Sequence, residues 1–239
     1  MKLKKINKFV YPGTNRELVE GKRHYVIGKN KLPSVTTILS ATMPEEKRKS
    51  LDRWIAREGK ERANEIKQRA ANRGSSMHKI LEHMIIGEGY KDLTDIGTQA
   101  TSMAEVIAER GLSNVSEYYG TEVTVHYPGL YAGQTDLAGV HNGSDAIIDF
   151  KQTNKPKRRE WIEDYFLQGA AYCMAHDTIY GTYIDKFVIM MCSADNYYQE
   201  FILEGKELRD FKYKWLERLD KYNRISYINN KEFDNPLNV

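Results

Sequence analysis

The stretch Gly133 to Lys151, GQTDLAGVHNGSDAIIDFK, constrains the fold more than any other part of the chain. Two apolar runs flank Asn142-Gly143-Ser144, and these three residues reverse a backbone at little conformational cost, so the arms are expected to pair as a hairpin. Side chains alternate faces along a strand. In Ile147-Ile148-Asp149-Phe150-Lys151 the acid and the lysine therefore share one face, while Ile148 and Phe150 point to the other. The same hairpin brings Asp136, on the first arm, towards Asp149 on the second. Two carboxylates and an ammonium at the end of a buried strand suit a metal ion and a water.

The order of elements around the hairpin sets the fold class. Pro33 to Leu39 reads as a short helix with a hydroxyl cap, and Pro44-Glu45-Glu46 opens a longer one reaching Ala71. Gly74 is expected to end it, with Ser75-Ser76 capping a third helix whose buried face is Met77, Ile80, Leu81, Met84 and Ile85. Another amphipathic helix covers residues 95 to 111, and a strand covers Ser116 to Tyr127. After the hairpin come a helix from Glu160 to His176, strands at Phe187 to Cys192 and Tyr197 to Leu203, and a helix from Glu207 to Asn223. Helices, three strands, helix, two strands and helix predict an α/β fold with a mixed central sheet flanked by helices. One domain is expected over 1–239: a lead-in over 1–33 with one short strand at His24 to Ile27, a helical part over 34–115, a sheet core over 116–204, and a C-terminal helix and tail over 205–239.

Hard divalent cations such as Mg²⁺ and Mn²⁺ take oxygen ligands, which Asp136, Asp149 and the main-chain carbonyl of Phe150 can supply. Lys151 is a poor ligand, but beside a metal it can orient or deprotonate a water or stabilise charge on a phosphate. His78 and Glu82, four residues apart on a helix, read in isolation as a hydrogen-bonded or solvated pair. If that helix packs over the hairpin, His78 becomes a further ligand, tilting the preference towards Mn²⁺, and Glu82 an outer or second-metal carboxylate. Glu122 reads as an exposed strand residue, with membership of the site as the alternative. Lys155, Lys157, Arg158 and Arg159 follow the acidic stretch closely and are expected to grip flanking phosphates, the alternative being a solvated loop. Gln168 and Tyr172, four apart on a core-facing helix, need partners and can brace the site or each other.

Composition narrows the setting. Lys plus Arg number 36 against 33 Asp plus Glu, a net charge of +3, so attraction to nucleic acid must come from local patches. Cys173 and Cys192 lie in apolar surroundings without a CxxC partner and read as free buried thiols of a reducing compartment. The start, MKLKKINKFVYPG, lacks the apolar stretch of a secretory signal, and the run from Phe187 to Cys192 is too short to span a bilayer. A soluble, cytoplasmic protein without a membrane is expected.

Asp136, the triplet Asp149-Phe150-Lys151, the upstream Gly74-x-x-x-His78-x-x-x-Glu82 and the downstream Gln168-x-x-x-Tyr172 resemble, in order and spacing, the motifs of the PD-(D/E)xK nuclease superfamily in its RecB-like exonuclease branch. The Pro33-Ser34-Val35-Thr36-Thr37-Ile38-Leu39 lead-in is similar to that of mitochondrial genome maintenance exonucleases and their phage relatives. The resemblance runs from about Pro33 to Leu203. It implies a restriction-endonuclease-like core, metal binding by His78, Asp136, Asp149 and the Phe150 carbonyl, a catalytic Lys151, and substrate binding or support by Gln168 and Tyr172. It also implies DNA as substrate, single-stranded or at ends. The iron–sulfur branch needs four cysteines, so no cluster is expected here. With no GxxxxGK[ST] motif, the chain would act on ends or flaps made by other replication or recombination proteins, as a phage or mobile-element enzyme in its host's cytoplasm. The competing readings are a flap endonuclease with the same site and a non-catalytic DNA-binding or recombination partner that keeps the fold.

Overall fold

A computed structural model describes residues 2–13, 15–19 and 21–233, with side chains to 227; the end of the expected C-terminal tail, 234–239, lies outside them. β1 (Lys4–Lys5) opens the chain. The lead-in then holds more structure than the one strand expected: β2 (Arg16–Val19), β3 (Lys22–Ile27) and β4 (Asn30–Pro33) form an antiparallel three-stranded sheet. It is fastened to the body where Tyr25 and Leu32 pack on Ala132 and Ser34 bridges the same residue.

The helical part runs close to expectation, with one correction. α1 (Val35–Ala41) starts at Ser34, whose hydroxyl accepts the Thr37 N–H at 3.0 Å. α2 (Glu45–Glu58) buries none of its residues, as its sparse apolar stripe implies. The chain breaks at Gly59, which takes φ 83°, and not at Gly74; α3 (Lys60–Ile86) then runs unbroken through Gly74-Ser75-Ser76. Ser76 caps no helix and donates to Asp92 at 2.7 Å. Gly74 eases a close approach to β7, since a Cβ there would stand 3.2 Å from Cγ of Gln152. α4 (Asp95–Arg110) follows with a Thr94 cap.

The second half builds the main sheet from β5 (Val115–Tyr127), β6 (Tyr131–His141), β7 (Ser144–Thr153), β8 (Lys186–Ser193) and β9 (Tyr198–Glu204), with α5 (Glu163–Tyr180) between β7 and β8 and α6 (Gly205–Phe233) at the end. The sheet order is β1-β5-β6-β7-β8-β9. Pairing is antiparallel except for β1 with β5 and β7 with β8, the latter being the pair that a helical crossover makes parallel. The expected hairpin is present: Asn142 and Gly143 take φ 48° and 79°, which a tight right-twisted turn requires. Both sheet faces are covered. Ile147 and Ile189 pack with Phe166 of α5 and Trp215 of α6, while Ile148, Phe150 and Val188 pack with Met77 and Leu81 of α3 and Met103 and Ile107 of α4. β7 and β8 are buried on both sides, which is why they read as apolar runs. Each such Phe or Leu contributes about 1.5–3 kcal/mol on burial. This mixed sheet flanked by helices is the fold class the sequence predicted.

Candidate active site

Three elements converge at one end of the β6–β7 hairpin. The ladder pairs Leu137 with Ile148, so Asp136 and Asp149 follow it side by side on the face shared with Lys151. Asp136 is buried, and its carboxylate is held at both oxygens. Oδ2 accepts the peptide N–H of Phe150 at 2.6 Å, and Oδ1 lies 3.0 Å from Nδ1 of His78, which α3 carries over the hairpin. The Lys151 ammonium pairs with Asp149 and sits 5.0 Å from the centre of the Tyr165 ring. The helix and strand are tied just upstream of His78 and just downstream of Lys151: the buried Arg73 donates to Gln152 at 2.7 and 2.9 Å and to Asn154, and Gln152 donates to the Ala70 carbonyl at 2.9 Å.

Glu122, expected to be exposed, is instead a partly buried wall of this site. Its Oε1 lies 4.0 Å from Nδ1 of His78, and His78, Glu122 and Asp136 each offer a ligand atom within 4.8 Å of the others. It takes φ 50°, an uncommon conformation for a side chain larger than glycine, and Gln134 donates to its carbonyl at 2.8 Å. A signal for it was present: β5 and β6 join at Pro128-Gly129-Leu130, and counting back from that turn along both strands sets Glu122 opposite Asp136.

Crowded charge perturbs every member. Burial pushes Glu122 up to about 7, reinforced by Asp136. Burial likewise pushes Asp149 up to about 6 against the pull of Lys151. Burial opposes the charge on His78 too, but Asp136 outweighs it and holds the imidazole at about 9. Asp136 stays below the usual carboxylate range because His78, Lys151 and the Phe150 N–H outweigh its own burial. Burial disfavours the Lys151 charge, yet Asp149 and Asp136 keep its pKa above the usual lysine value. The ionised Asp136 disfavours ionisation of Glu122 and Asp149, and a cation bound among them would relieve this. His78, Glu122 and Asp136 offer one nitrogen and two carboxylate oxygens close enough together to hold one cation, a donor set that suits a divalent ion.

These residues line one cleft of about 620 Å³, together with Glu82, Lys79, Gln168, Tyr172, Arg16 and Arg23. Gln168 donates to the Tyr172 hydroxyl at 2.7 Å. The Tyr172 ring reaches β6 only because residue 133 is glycine, where a Cβ would lie 2.3 Å from Cε1. None of Lys155, Lys157, Arg158 and Arg159, expected to grip flanking phosphates, lines the cleft itself. The loop is drawn along β9 instead: the Lys157 N–H donates to Gln199 at 2.7 Å, Arg158 stacks on Trp161, and Arg159 binds Glu207 at 2.7 and 2.8 Å. Besides Lys151, the lysine and arginine side chains that line it are those of Arg16, Arg23 and Lys79, which were not singled out by the sequence. Cys173 and Cys192 are free and buried, away from this cleft.

Strands β5 to β7, helix α5 and strand β8 follow one another in the chain, and the cleft gathers His78, the carboxylates Glu82, Glu122, Asp136 and Asp149, and Lys151, an arrangement that resembles the PD-(D/E)xK motif order. No protein-family profile matches the chain. It is similar to mitochondrial genome maintenance exonuclease 1 of Xenopus tropicalis, 29% identical over 206 residues covering 81% of this chain and 58% of the relative, and to that of Mus musculus, 30% identical over 207 residues covering 81% and 60%. The chain thus spans less than two thirds of these relatives' length. Among solved structures, an alkaline exonuclease from Laribacter hongkongensis overlaps 67% of this chain and 84% of its own with 14% identity and a TM-score of 0.31. With these homologues, the resemblance to the PD-(D/E)xK-like exonucleases drawn from the motifs is borne out.

Proposed function

We propose that the chain is a divalent-metal-dependent DNA exonuclease that hydrolyses phosphodiester bonds, acting on single strands or ends. The observation that supports this reading best is the meeting of His78, Glu122, Asp136, Asp149 and Lys151 in one cleft open to solvent. His78, Asp136, Asp149 and the Phe150 carbonyl would hold Mg²⁺ or Mn²⁺, with Glu122 as a further carboxylate. When bound, the ion supplies a Lewis acid and lowers the pKa of a water. The chain's own groups do the rest. Asp149 holds the Lys151 ammonium where it can neutralise charge growing on the phosphate oxygens. The Phe150 N–H fixes the rotamer of Asp136, which in turn orients His78. Glu82, one helical turn from His78, adds negative charge to the cation side of the cleft. Tyr172, braced by Gln168, walls the side where a base or sugar would lie. The name carried by the relatives also supports an exonuclease.

Digestion of end-labelled single- and double-stranded oligonucleotides, with each cation in turn, tests this. Wild type is expected to shorten single strands from an end only with Mg²⁺ or Mn²⁺, and Lys151→Ala to lose cleavage by at least about a hundredfold while still binding DNA. Cleavage of circular single strands would move the reading to an endonuclease. Wild-type rates in Lys151→Ala would refute the assigned chemistry.

A further inference from the structure

We propose that Arg16 and Arg23, on the N-terminal three-stranded sheet, form a phosphate subsite that grips the strand beside the phosphate being cut. The proposal rests on the nucleic-acid reading of the cleft and assigns to the lead-in a role that its sequence did not suggest. The ladder sets Arg16 opposite Tyr25 and Leu18 opposite Arg23, so Arg16, Arg23 and Tyr25 share one face of this sheet. Diagonal neighbours of this kind stand roughly 7–8 Å apart at the backbone. At Tyr25 and Leu32 this face is buried against Ala132 of β6, and Arg16 and Arg23 extend from it as exposed side chains at the rim of the cleft. Both guanidiniums therefore overhang the cleft that has Asp136, Asp149 and Lys151 at its floor.

Among the described residues neither arginine has a carboxylate within 4.0 Å, although the neighbouring Glu17 is close by; that acid lies on the other face and binds Lys31 at 2.6 Å. Their polar neighbour is the Tyr25 hydroxyl. Burial raises its pKa, and both guanidiniums pull it back down. Tyr25 lines the same cleft as Gln168 and Tyr172. Two like charges at the rim of a cleft repel one another until an anion lies between them. A guanidinium fork matches phosphate oxygens in shape as well as charge. The carboxylates at the floor repel a bare phosphate, so the subsite is filled by a neighbouring phosphate of the strand whose scissile phosphate sits at the cation. A substrate with a single phosphodiester cannot occupy both.

The test measures binding and cleavage separately, on the full chain. Binding of a fluorescein-labelled oligothymidylate is followed by anisotropy over a salt series in EDTA. Cleavage of the same strand is compared with that of the p-nitrophenyl ester of thymidine 5′-phosphate. In the double variant Arg16→Ala/Arg23→Ala, the oligonucleotide Kd should rise at least about tenfold. The log–log salt slope should shrink by about 0.7 to 1.4, the value for one or two single-strand phosphates. The loss should fall on KM rather than kcat and be larger for the oligonucleotide than for the ester. Arg16→Lys/Arg23→Lys should recover the salt slope but not the full affinity, since a point charge lacks the fork. An unchanged slope and KM in the alanine variant, with wild type binding and cutting normally, would overturn the subsite alone. A wild type that binds the strand without cutting it, its slope still lost in the variant, would support the subsite and overturn the catalytic reading. A wild type that does neither would overturn both.

Discussion

Glu122 and Asp136 face one another across the β5–β6 ladder, between the pairs Thr121–Leu137 and Val123–Thr135. Two carboxylates opposed on adjacent strands repel. Glu122 also holds φ 50°, which a residue with a Cβ adopts at a cost of about 1–2 kcal/mol. Strain and like charge at one position are tolerated where a cation is to be bound.

Glu122→Gly removes both penalties and one ligand. The variant is expected to be more stable than wild type without added metal by about 1 kcal/mol, a rise of about 2–4 °C in Tm for a chain of this size, and to lose cation-dependent cleavage by about 10- to 100-fold. Calorimetry and cleavage assays on the same preparation check this. A variant both less stable and fully active would show that Glu122 is an ordinary strand residue.

Gly133→Ala pushes a methyl group into the space of the Tyr172 ring, since the added Cβ would lie 2.3 Å from Cε1. Either β6 or the ring must yield, at about 1–3 kcal/mol, the usual cost of overpacking. Because the hydroxyl of Tyr172 is held by Gln168 beside the acids, cleavage should fall as well. Urea unfolding and initial rates read the two effects, and wild-type values in both would mean that the ring has room to move.

Acid should weaken the fold through His176. This buried imidazole lies among Phe9, Tyr11 and Tyr180, with Nε2 3.0 Å from the Tyr11 hydroxyl and Nδ1 2.8 Å from that of Thr182. Burial pushes its pKa down to about 4; Asp177 and Asp145 oppose this and Lys8 assists it. The unfolded chain, with histidine near 6.5, then binds more protons than the native state between about pH 6.5 and 4. The contribution of His176 is fully present above pH 6.5 and falls by up to roughly 3 kcal/mol as the pH drops through that window, whereas Glu122 and Asp149, whose pKa values burial raises, act in the opposite sense there. Urea midpoints between about pH 7 and pH 4 measure it as a difference, since wild type should lose stability relative to His176→Phe as the pH falls. An equally steep fall in that variant would trace the effect to other groups.

Local signals carried much of the fold and part of the site. The Asn142-Gly143 turn, the alternation of Ile148 and Phe150 against Asp149 and Lys151, the Ser34 cap and the His78-x-x-x-Glu82 spacing on a helix are properties of neighbouring residues, and each stands where the sequence put it. The break at Gly59 rather than Gly74 was not legible. A glycine inside a helix and one ending it look alike until the partner surface is known, here Gln152 of β7.

What the sequence alone determined, then, was which side chains share a face, because the periods of strand and helix are fixed by covalent geometry. Only the tertiary structure decided which faces meet. It brought Glu122 inward through the β5–β6 register, drew Lys155 to Arg159 away to Gln199 and Glu207, and hung Arg16 and Arg23 over the cleft by seating Tyr25 on Ala132. Those outcomes depend on contacts between residues far apart in the chain, whose energies no local pattern contains.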